Sequence, residues 1–380
     1  MASSRISRRF PYKSLALLLL LAGGLGARRL ADSHLRALSM LVRFSDPQAH
    51  LLAASFANHP IVEELASAQT SRGTLKYRTF TPKDVTNPPS IMLLHGVHHL
   101  GIGDPRLISL SRAMAMSGVQ IIAPELKDLT EYHVSPETVD DIGTDAAYFA
   151  QRSGRQVGVI GLSFAGGLAL IAASRSEYAD KMGFVLAVGS HDSMNRVAKF
   201  FASNVLLRPD GTQEHLQAHE YGVLILAYSH LEDFFSAADV PPAHECLRRH
   251  LWEQPAAQET GLTKDGQTEM DLLVNHRERM EQAMLQEIDR HRTEMDAVSP
   301  AGRMAGMHVP VYLLHGAGDS VIPPSESLWL ARDVPNSDMR AVLISSALVH
   351  VDMDKKVAFS DEWALVHFMA GILDAAKSLR

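Results

Sequence analysis

The chain alternates apolar, strand-like runs with helical stretches, and this alternation constrains its fold more than any other feature. Strands that alternate with helices form a parallel sheet whose two faces are both covered. The sequence therefore predicts an α/β fold with a mostly parallel, doubly wound sheet. The strand-like runs lie at 74–80, 91–94, 119–123, 157–162, 184–188, 309–314 and 339–344, and helical patterns lie at 107–116, 136–152, 164–174 and 361–376.

The same pattern divides the chain into parts. Residues 28–72 show apolar residues at helical spacing and are predicted to form an N-terminal helical segment. The predicted α/β core comprises residues 73–190 and 308–380. Between them, residues 191–307 are rich in charge, His, Met and Gln and lack the alternation. Because this stretch lies between two core strands, we expect a helical insertion that caps one edge of the sheet.

The N-terminal segment 1–27 has the pattern of an export signal. Basic residues precede an apolar run at 15–22, which small residues follow. The run is shorter than the roughly 20 residues that a spanning helix needs. We expect a signal peptide or an uncleaved anchor, and hence an exported or membrane-anchored protein. The alternative is an apolar helix packed on the domain of a cytoplasmic protein.

Composition excludes several classes of function. The net charge is −7, and basic and acidic residues are mixed, which argues against nucleic-acid binding. The single cysteine, Cys246, excludes an internal disulfide and a cysteine-rich metal site. The histidines at 95, 98 and 99 lack the spacing of a metallohydrolase. We expect no metal and no cofactor.

The segment Gly161-Leu162-Ser163-Phe164-Ala165 follows a strand-like run and precedes a small-residue helix start. A tight strand–serine–helix turn exposes the serine hydroxyl at the tip of a parallel sheet. Small residues are needed around that turn, and Gly161 supplies one. Ser163 is therefore the predicted nucleophile.

A serine hydroxyl needs a base, and the base needs an orienting acid. Asp319 and His350 each follow a later strand-like run, in the order Ser, Asp, His. Asp352 and Asp354 are the alternatives to Asp319, and His367 is the alternative to His350.

Two backbone N–H groups are needed to stabilise a developing oxyanion. The residue after the nucleophile, Phe164, is predicted to supply one. The His95-Gly96-Val97 segment ends another strand, so Val97 is the second predicted donor. His95 is expected to brace this loop without reacting, and Gly96 and Gly161 are supporting residues.

Residues 73–378 resemble the α/β-hydrolases that carry a helical cap. The resemblance rests on His-Gly at 95–96, the turn around Ser163, the segment 315–323 and a histidine before the last helix. It implies an eight-stranded core and a Ser163–His350–Asp319 triad that works through an acyl-enzyme. Segment 315–323 is similar to that of serine esterases and oligopeptidase-like members. Ala165 departs from the usual glycine.

The favoured function is hydrolysis of a carboxylic ester, with a small-molecule ester or short acyl compound as substrate. A peptidase or amidase of the same fold is the nearest alternative. A non-catalytic, membrane-associated protein that keeps the fold is the other. We expect the cap to determine the physiological substrate, and its shape cannot be deduced from composition.

Overall fold

The structure, a computed structural model, describes residues 25–48, 50, 52–252, 254, 261–348 and 358–380. The predicted signal segment 1–27 lies almost entirely outside these residues. Among the helices described, none is both long and apolar enough to cross a membrane.

The strands of the described chain form one large sheet and one hairpin. Their bounds are β1 Ile61–Thr70, β2 Gly73–Pro82, β3 Ser90–Leu94, β4 Gln120–Pro124, β5 Val157–Leu162, β6 Met182–Val188, β7 Val205–Leu207, β8 Gln213–His215, β9 Val311–Gly316 and β10 Met339–Ser345. The eight-stranded sheet has the order β1-β2-β4-β3-β5-β6-β9-β10. Strand β2 pairs antiparallel with both β1 and β4, and the other pairs are parallel. The predicted mostly parallel α/β sheet is confirmed.

Helices cover both faces of this sheet. Their bounds are α1 Leu25–Ser45, α2 Pro105–Met116, α3 Lys127–Thr130, α4 Pro136–Ser153, α5 Phe164–Ser174, α6 Ser176–Ala179, α7 Met194–Ser203, α8 Glu220–Ser229, α9 Val240–Leu251, α10 Lys264–Asn275, α11 Glu281–Arg290, α12 Arg292–Ala297, α13 Ser325–Asp333 and α14 Phe359–Lys377. Helices α1, α2 and α14 share a buried cluster on one face, and α4 and α5 lie in a second cluster on the other.

Local sequence explains where the core helices begin and end. Helix α4 begins after Ser135, whose hydroxyl accepts a hydrogen bond from the Thr138 N–H, and Pro136 occupies its first turn. It ends at Gly154, which adopts the left-handed conformation at φ 68°. Helix α2 begins in the same way, with Asp104 as cap and Pro105 next. These signals place the helices between consecutive strands.

The predicted helical segment 28–72 is wrong over its last third. Helix α1 and a short 3₁₀ turn at Leu52–Ser55 precede β1, a ten-residue strand that pairs with β2 along its whole length. The sequence of β1 contains Glu, Ala and Gln, which are favourable in helices. Pairing at the sheet edge overrides this local preference, because strand formation depends mainly on tertiary context.

The stretch between β6 and β9, for which a helical cap over 191–307 is predicted, contains helices α7 to α12. Met280, Met284 and Ile288, which fall at helical spacing, are all buried. The same stretch also contains the β7–β8 hairpin, which the helical sequence pattern does not predict. We refer to the elements from α7 to α12 as the cap.

Candidate active site

Ser163 lies in a tight turn between β5 and α5. Its backbone has φ 55° and ψ −133°, in the positive-φ half of conformational space that residues other than glycine rarely enter. The Ser163 N–H donates a 2.8 Å hydrogen bond to the Val188 carbonyl at the end of β6. The turn therefore holds the serine at the carboxyl ends of two adjacent parallel strands.

Small residues allow the strand and the helix to approach each other at this turn. A Cβ atom added at Gly161 would lie 2.4 Å from the Cα of Gly166, far inside van der Waals contact. One added at Gly166 would lie 2.0 Å from the Ser190 hydroxyl. Ala165 is fully buried in the same turn. The close approach thus occurs between positions 161 and 166, and the alanine at 165 fits.

The His95-Gly96 loop after β3 lies directly against the serine. A Cβ atom added at Gly96 would lie 3.2 Å from Ser163 Cβ and 3.9 Å from its Oγ. The buried His95 ring donates from Nδ1 to the Gly96 carbonyl at 2.8 Å and accepts at Nε2 from the Leu126 N–H at 3.0 Å. Burial lowers the pKa of His95. These contacts suit a neutral ring that braces the loop.

A residue of the cap also holds this loop. The Tyr221 hydroxyl, on α8, donates a 2.6 Å hydrogen bond to the carbonyl of Val97. Val97 is buried, and burial raises the pKa of Tyr221. Of the predicted oxyanion donors, Phe164 follows Ser163 in the chain, and Val97 follows Gly96, which lies against Ser163. Sequence analysis does not identify Tyr221, because its partner is 124 residues away.

Asp319 lies in the loop after β9, at the same edge of the sheet. Its carboxylate is buried, and Oδ1 accepts hydrogen bonds from the N–H groups of Val321 and Ile322 at 2.9 and 3.1 Å. Its Oδ2 lies against Gly189, where an added Cβ would be 3.2 Å away. Gly189 directly follows Val188, which binds the backbone of Ser163. The structure therefore brings Asp319 and Ser163 to opposite sides of the end of β6.

His315 is buried near the end of β9, directly before the loop that carries Asp319. Sequence analysis does not single it out. Its Nε2 donates to the Ile322 carbonyl at 2.9 Å and lies 3.7 Å from Asp319 Oδ2, while its Nδ1 is 2.7 Å from the Ser327 hydroxyl. It joins β9 to the loop and to α13. The loop that presents Asp319 is thus braced by a buried imidazole, as the loop after β3 is.

A buried ion network joins the first turn of the cap to α13. Glu326 is fully buried, and its Oε2 accepts hydrogen bonds from the N–H groups of Asp192 and Ser193, both at 2.9 Å. Arg196 donates from Nε to Glu326 Oε1 at 2.5 Å and from Nη2 to Asp192 at 2.8 Å. Burial, opposed by the bond to Arg196, raises the pKa of Asp192 to about 6. The network connects the cap to the helix that follows Asp319.

The predicted base, His350, lies outside the described residues, as do Asp352 and Asp354. The alternative histidine, His367, is exposed on α14, and its Nδ1 lies 2.9 Å from Nε2 of His34 on α1. His98 and His99 stack on each other, and His99 stacks on Trp252 at the end of α9. These rings form a second contact between the cap and the loop after β3.

The strand order and the helices on both faces of the sheet give the chain an α/β-hydrolase fold, with a strained turn at Ser163. No protein-family model matches the sequence, and a search of curated proteins finds no match.

Solved structures that the chain is similar to include three hydrolases. The first is a candidate lipase from Acinetobacter baumannii, at 15% identity over 74% of this chain and 83% of that one, with a TM-score of 0.42. The second is an acylaminoacyl peptidase from Pyrococcus horikoshii, at 14% identity over 82% of this chain and 40% of that one, with a TM-score of 0.45. The third is a haloalkane dehalogenase loop variant from Bradyrhizobium elkanii, at 14% identity over 83% of this chain and 98% of that one, with a TM-score of 0.46.

Proposed function

We propose that this protein is a serine hydrolase that cleaves a carboxylic ester through attack by Ser163 Oγ. The observation that carries the proposal is the backbone of Ser163, at φ 55° and ψ −133° between β5 and α5. A non-glycine residue in such a conformation stores strain, and strain of this kind is concentrated at functional sites. A serine whose only role was structural would gain nothing from this turn.

In the proposed reaction, His350 takes the proton of Ser163 while Oγ bonds to the ester carbonyl carbon. Asp319 accepts a hydrogen bond from the other ring nitrogen and stabilises the imidazolium. The tetrahedral intermediate then expels the alcohol, which receives the proton from His350. Water, activated by the same histidine, attacks the acyl-enzyme and releases the acid. The burial of Asp319 and its two backbone hydrogen bonds support its role as a fixed carboxylate.

The negative oxygen of the intermediate is proposed to bind the N–H groups of Phe164 and Val97. Phe164 begins α5, and the first N–H groups of a helix have no partner within the helix. The contact of Gly96 with Ser163 supports the second donor, since Val97 is the next residue. Loss of one oxyanion donor typically lowers kcat by about 10²–10³.

Covalent labelling with a fluorophosphonate tests the nucleophile. We expect one equivalent of label on the native protein and none on Ser163→Ala. Ser190→Ala is the matched control, because Ser190 is a buried serine packed against the same turn. His350→Gln should abolish labelling, whereas His367→Gln should leave it unchanged. Folded protein that takes no label, or label that persists in Ser163→Ala, would refute the proposal.

Paired substrates separate the ester from the amide reaction. A series of p-nitrophenyl esters of increasing acyl length would be compared with acyl-amino-acid p-nitroanilides. We expect turnover of the esters by the native protein and its loss in Ser163→Ala. A kcat/KM for the anilides that exceeds that for the esters would assign a peptidase instead.

A further inference from the structure

Two histidines and two carboxylates meet in the cap, away from the serine turn. His230 caps the end of α8, Asp233 lies in the 3₁₀ turn Leu231–Asp233, and His291 joins α11 to α12. One nitrogen or oxygen atom from each of these three residues lies within 4.8 Å of the other two. Their side chains are 19%, 10% and 16% exposed, so the three groups are largely shielded from solvent.

A fourth residue and an arginine complete the surroundings. Glu294, on α12, places one carboxylate oxygen 3.4 Å from His291 Nδ1 and the other 3.9 Å from His230 Nε2. Asp233 Oδ1 accepts a 2.9 Å hydrogen bond from Arg290, and Asp233 Oδ2 lies 2.6 Å from His291 Nε2. The arginine therefore orients the carboxylate and leaves its other oxygen facing the imidazole.

We propose that His230, Asp233 and His291 form a binding site for a divalent cation of the zinc type, with Glu294 orienting the His291 ring through Nδ1. Two imidazole nitrogens and one carboxylate oxygen are donors that Zn²⁺ accepts, and water would fill the fourth tetrahedral position. In such a site the ligand atoms lie about 2.0–2.2 Å from the metal. Ligand atoms at that distance from a tetrahedral ion are about 3.4 Å apart. The Asp233 and His291 atoms, at 2.6 Å, must therefore separate as the ion enters.

The rings of His230 and His291 are stacked, with centroids 3.8 Å apart and planes inclined by 22°. In two parallel stacked rings the nitrogen lone pairs point in parallel directions. Binding of one ion therefore requires the two imidazoles to tilt until one lone pair from each points at the ion. The fold already brings the ligands close, since two segments that are distant in sequence, 230–233 and 291–294, meet at this point. An ion held there would fasten the end of α8 to the α11–α12 junction.

The proposed role is structural. Neither the three ligands nor Glu294 belong to the element that carries Ser163 or to the loop that carries Asp319. The proposal is therefore independent of the esterase proposal. An ion-pair network without a metal function is the competing account, and the two differ in whether zinc binds with one-to-one stoichiometry and stabilises the fold.

The test is a zinc titration of the full chain, without an affinity tag, after treatment with a chelator. We expect one equivalent of Zn²⁺ to bind in calorimetry and to raise the midpoint of thermal unfolding. His291→Gln should weaken binding by more than about tenfold, because even residues that only support a metal ligand usually contribute that much. It should also remove the thermal shift.

His276→Gln is the matched control. His276 is another cap histidine with carboxylates, Asp271 and Glu278, at 3.8 and 3.7 Å, and it is more exposed. This variant should bind zinc as the native protein does. Asp233→Asn and Glu294→Gln provide further tests if the histidine variant does not fold. The absence of saturable binding by the native protein, or equal binding by all the variants, would overturn the proposal.

Discussion

At the residue scale, the candidate site depends on buried polar side chains that hold loops in place. His95 ties the loop after β3 to Leu126, and His315 ties the loop after β9 to Ile322 and Ser327. A buried polar group that loses its hydrogen-bond partner is left unsatisfied away from water, which is costly. Buried, fully bonded side chains therefore hold a loop in one position. Both loops are thus fixed before any substrate arrives.

Asp145 is a buried carboxyl whose titration should affect stability. It lies inside α4, where burial raises its pKa to about 8, with a smaller contribution from the charge of Asp141. Between about pH 4 and pH 8 the native state therefore holds a proton that the unfolded chain has released. The contribution of Asp145 to the free energy of unfolding falls as the pH rises through this window and is constant above it.

Asp145→Asn should remove this pH-dependent loss of unfolding free energy. We expect the variant to be more stable than the native protein at pH 9, by several kcal/mol, since each pKa unit corresponds to about 1.4 kcal/mol. The difference should shrink steadily towards pH 4. Urea unfolding of both proteins at a series of pH values measures it, with the exposed Asp180→Asn as control. A difference that does not depend on pH would contradict this prediction.

Residues whose proposed chemistry has a local signature can be singled out from the sequence. Ser163 has glycine at 161 before it, and Asp319 follows a strand-like run, so both are found from short motifs. His315, Tyr221 and Glu326 are not, because each acts through a partner that is distant in the chain or through burial. The four-residue spacing between Asp192, just before α7, and Arg196, within α7, is a local sign of the Glu326 network, but ordinary surface ion pairs have the same spacing.

At the element scale, strands are predicted correctly where they are buried on both faces. Strands β3, β5 and β6 read as apolar runs because helices cover both sides of them. Strand β1 is at the sheet edge and largely exposed, so its composition carries no such signal. It is a strand because it forms a hairpin with β2 across the turn at Ser71 and Arg72, and not because of an apolar pattern of its own.

Cap helix α8 contacts the loop that is proposed to supply an oxyanion donor, and this contact should affect catalysis. Tyr221→Phe removes the hydrogen bond to the Val97 carbonyl while it keeps the ring. A hydrogen bond of this kind contributes about 1 kcal/mol, so kcat for the ester substrate should fall about fivefold with little change in KM. The residue acts as a positioning residue, through Val97.

Tyr228→Phe is the matched control, because Tyr228 lies on the same helix and its ring stacks on His244. It should retain native kcat. Steady-state kinetics on the best ester of the acyl series, together with thermal unfolding, separate a positional effect from a loss of stability. A drop in kcat in both variants, or an increase in KM alone for Tyr221→Phe, would show that the contact does not orient the loop.

At the scale of the whole molecule, the cap and one face of the sheet share a continuous apolar interior. The same cluster of buried side chains includes Met92 and Val159 from the sheet, Leu168 from α5, and Met284 and Ile288 from α11. Buried area shared between two parts of a chain couples their stability, because neither part can unfold without exposing the surface of the other. We therefore expect the cap and the core to unfold in one transition.

Met284→Ala tests this coupling. Met284 is 1% exposed, and truncation of a buried methionine to alanine costs about 2–5 kcal/mol. Two variants that each retain one tryptophan report on the two parts: W329F/W363F keeps Trp252 in the cap, and W252F/W329F keeps Trp363 on α14. In urea, Met284→Ala should shift the fluorescence transitions of both reporters by the same amount. The exposed Leu65→Ala should shift neither by more than about 0.5 kcal/mol. A Trp252 transition that moves to lower urea while that of Trp363 stays in place would show that the cap is an independent unit.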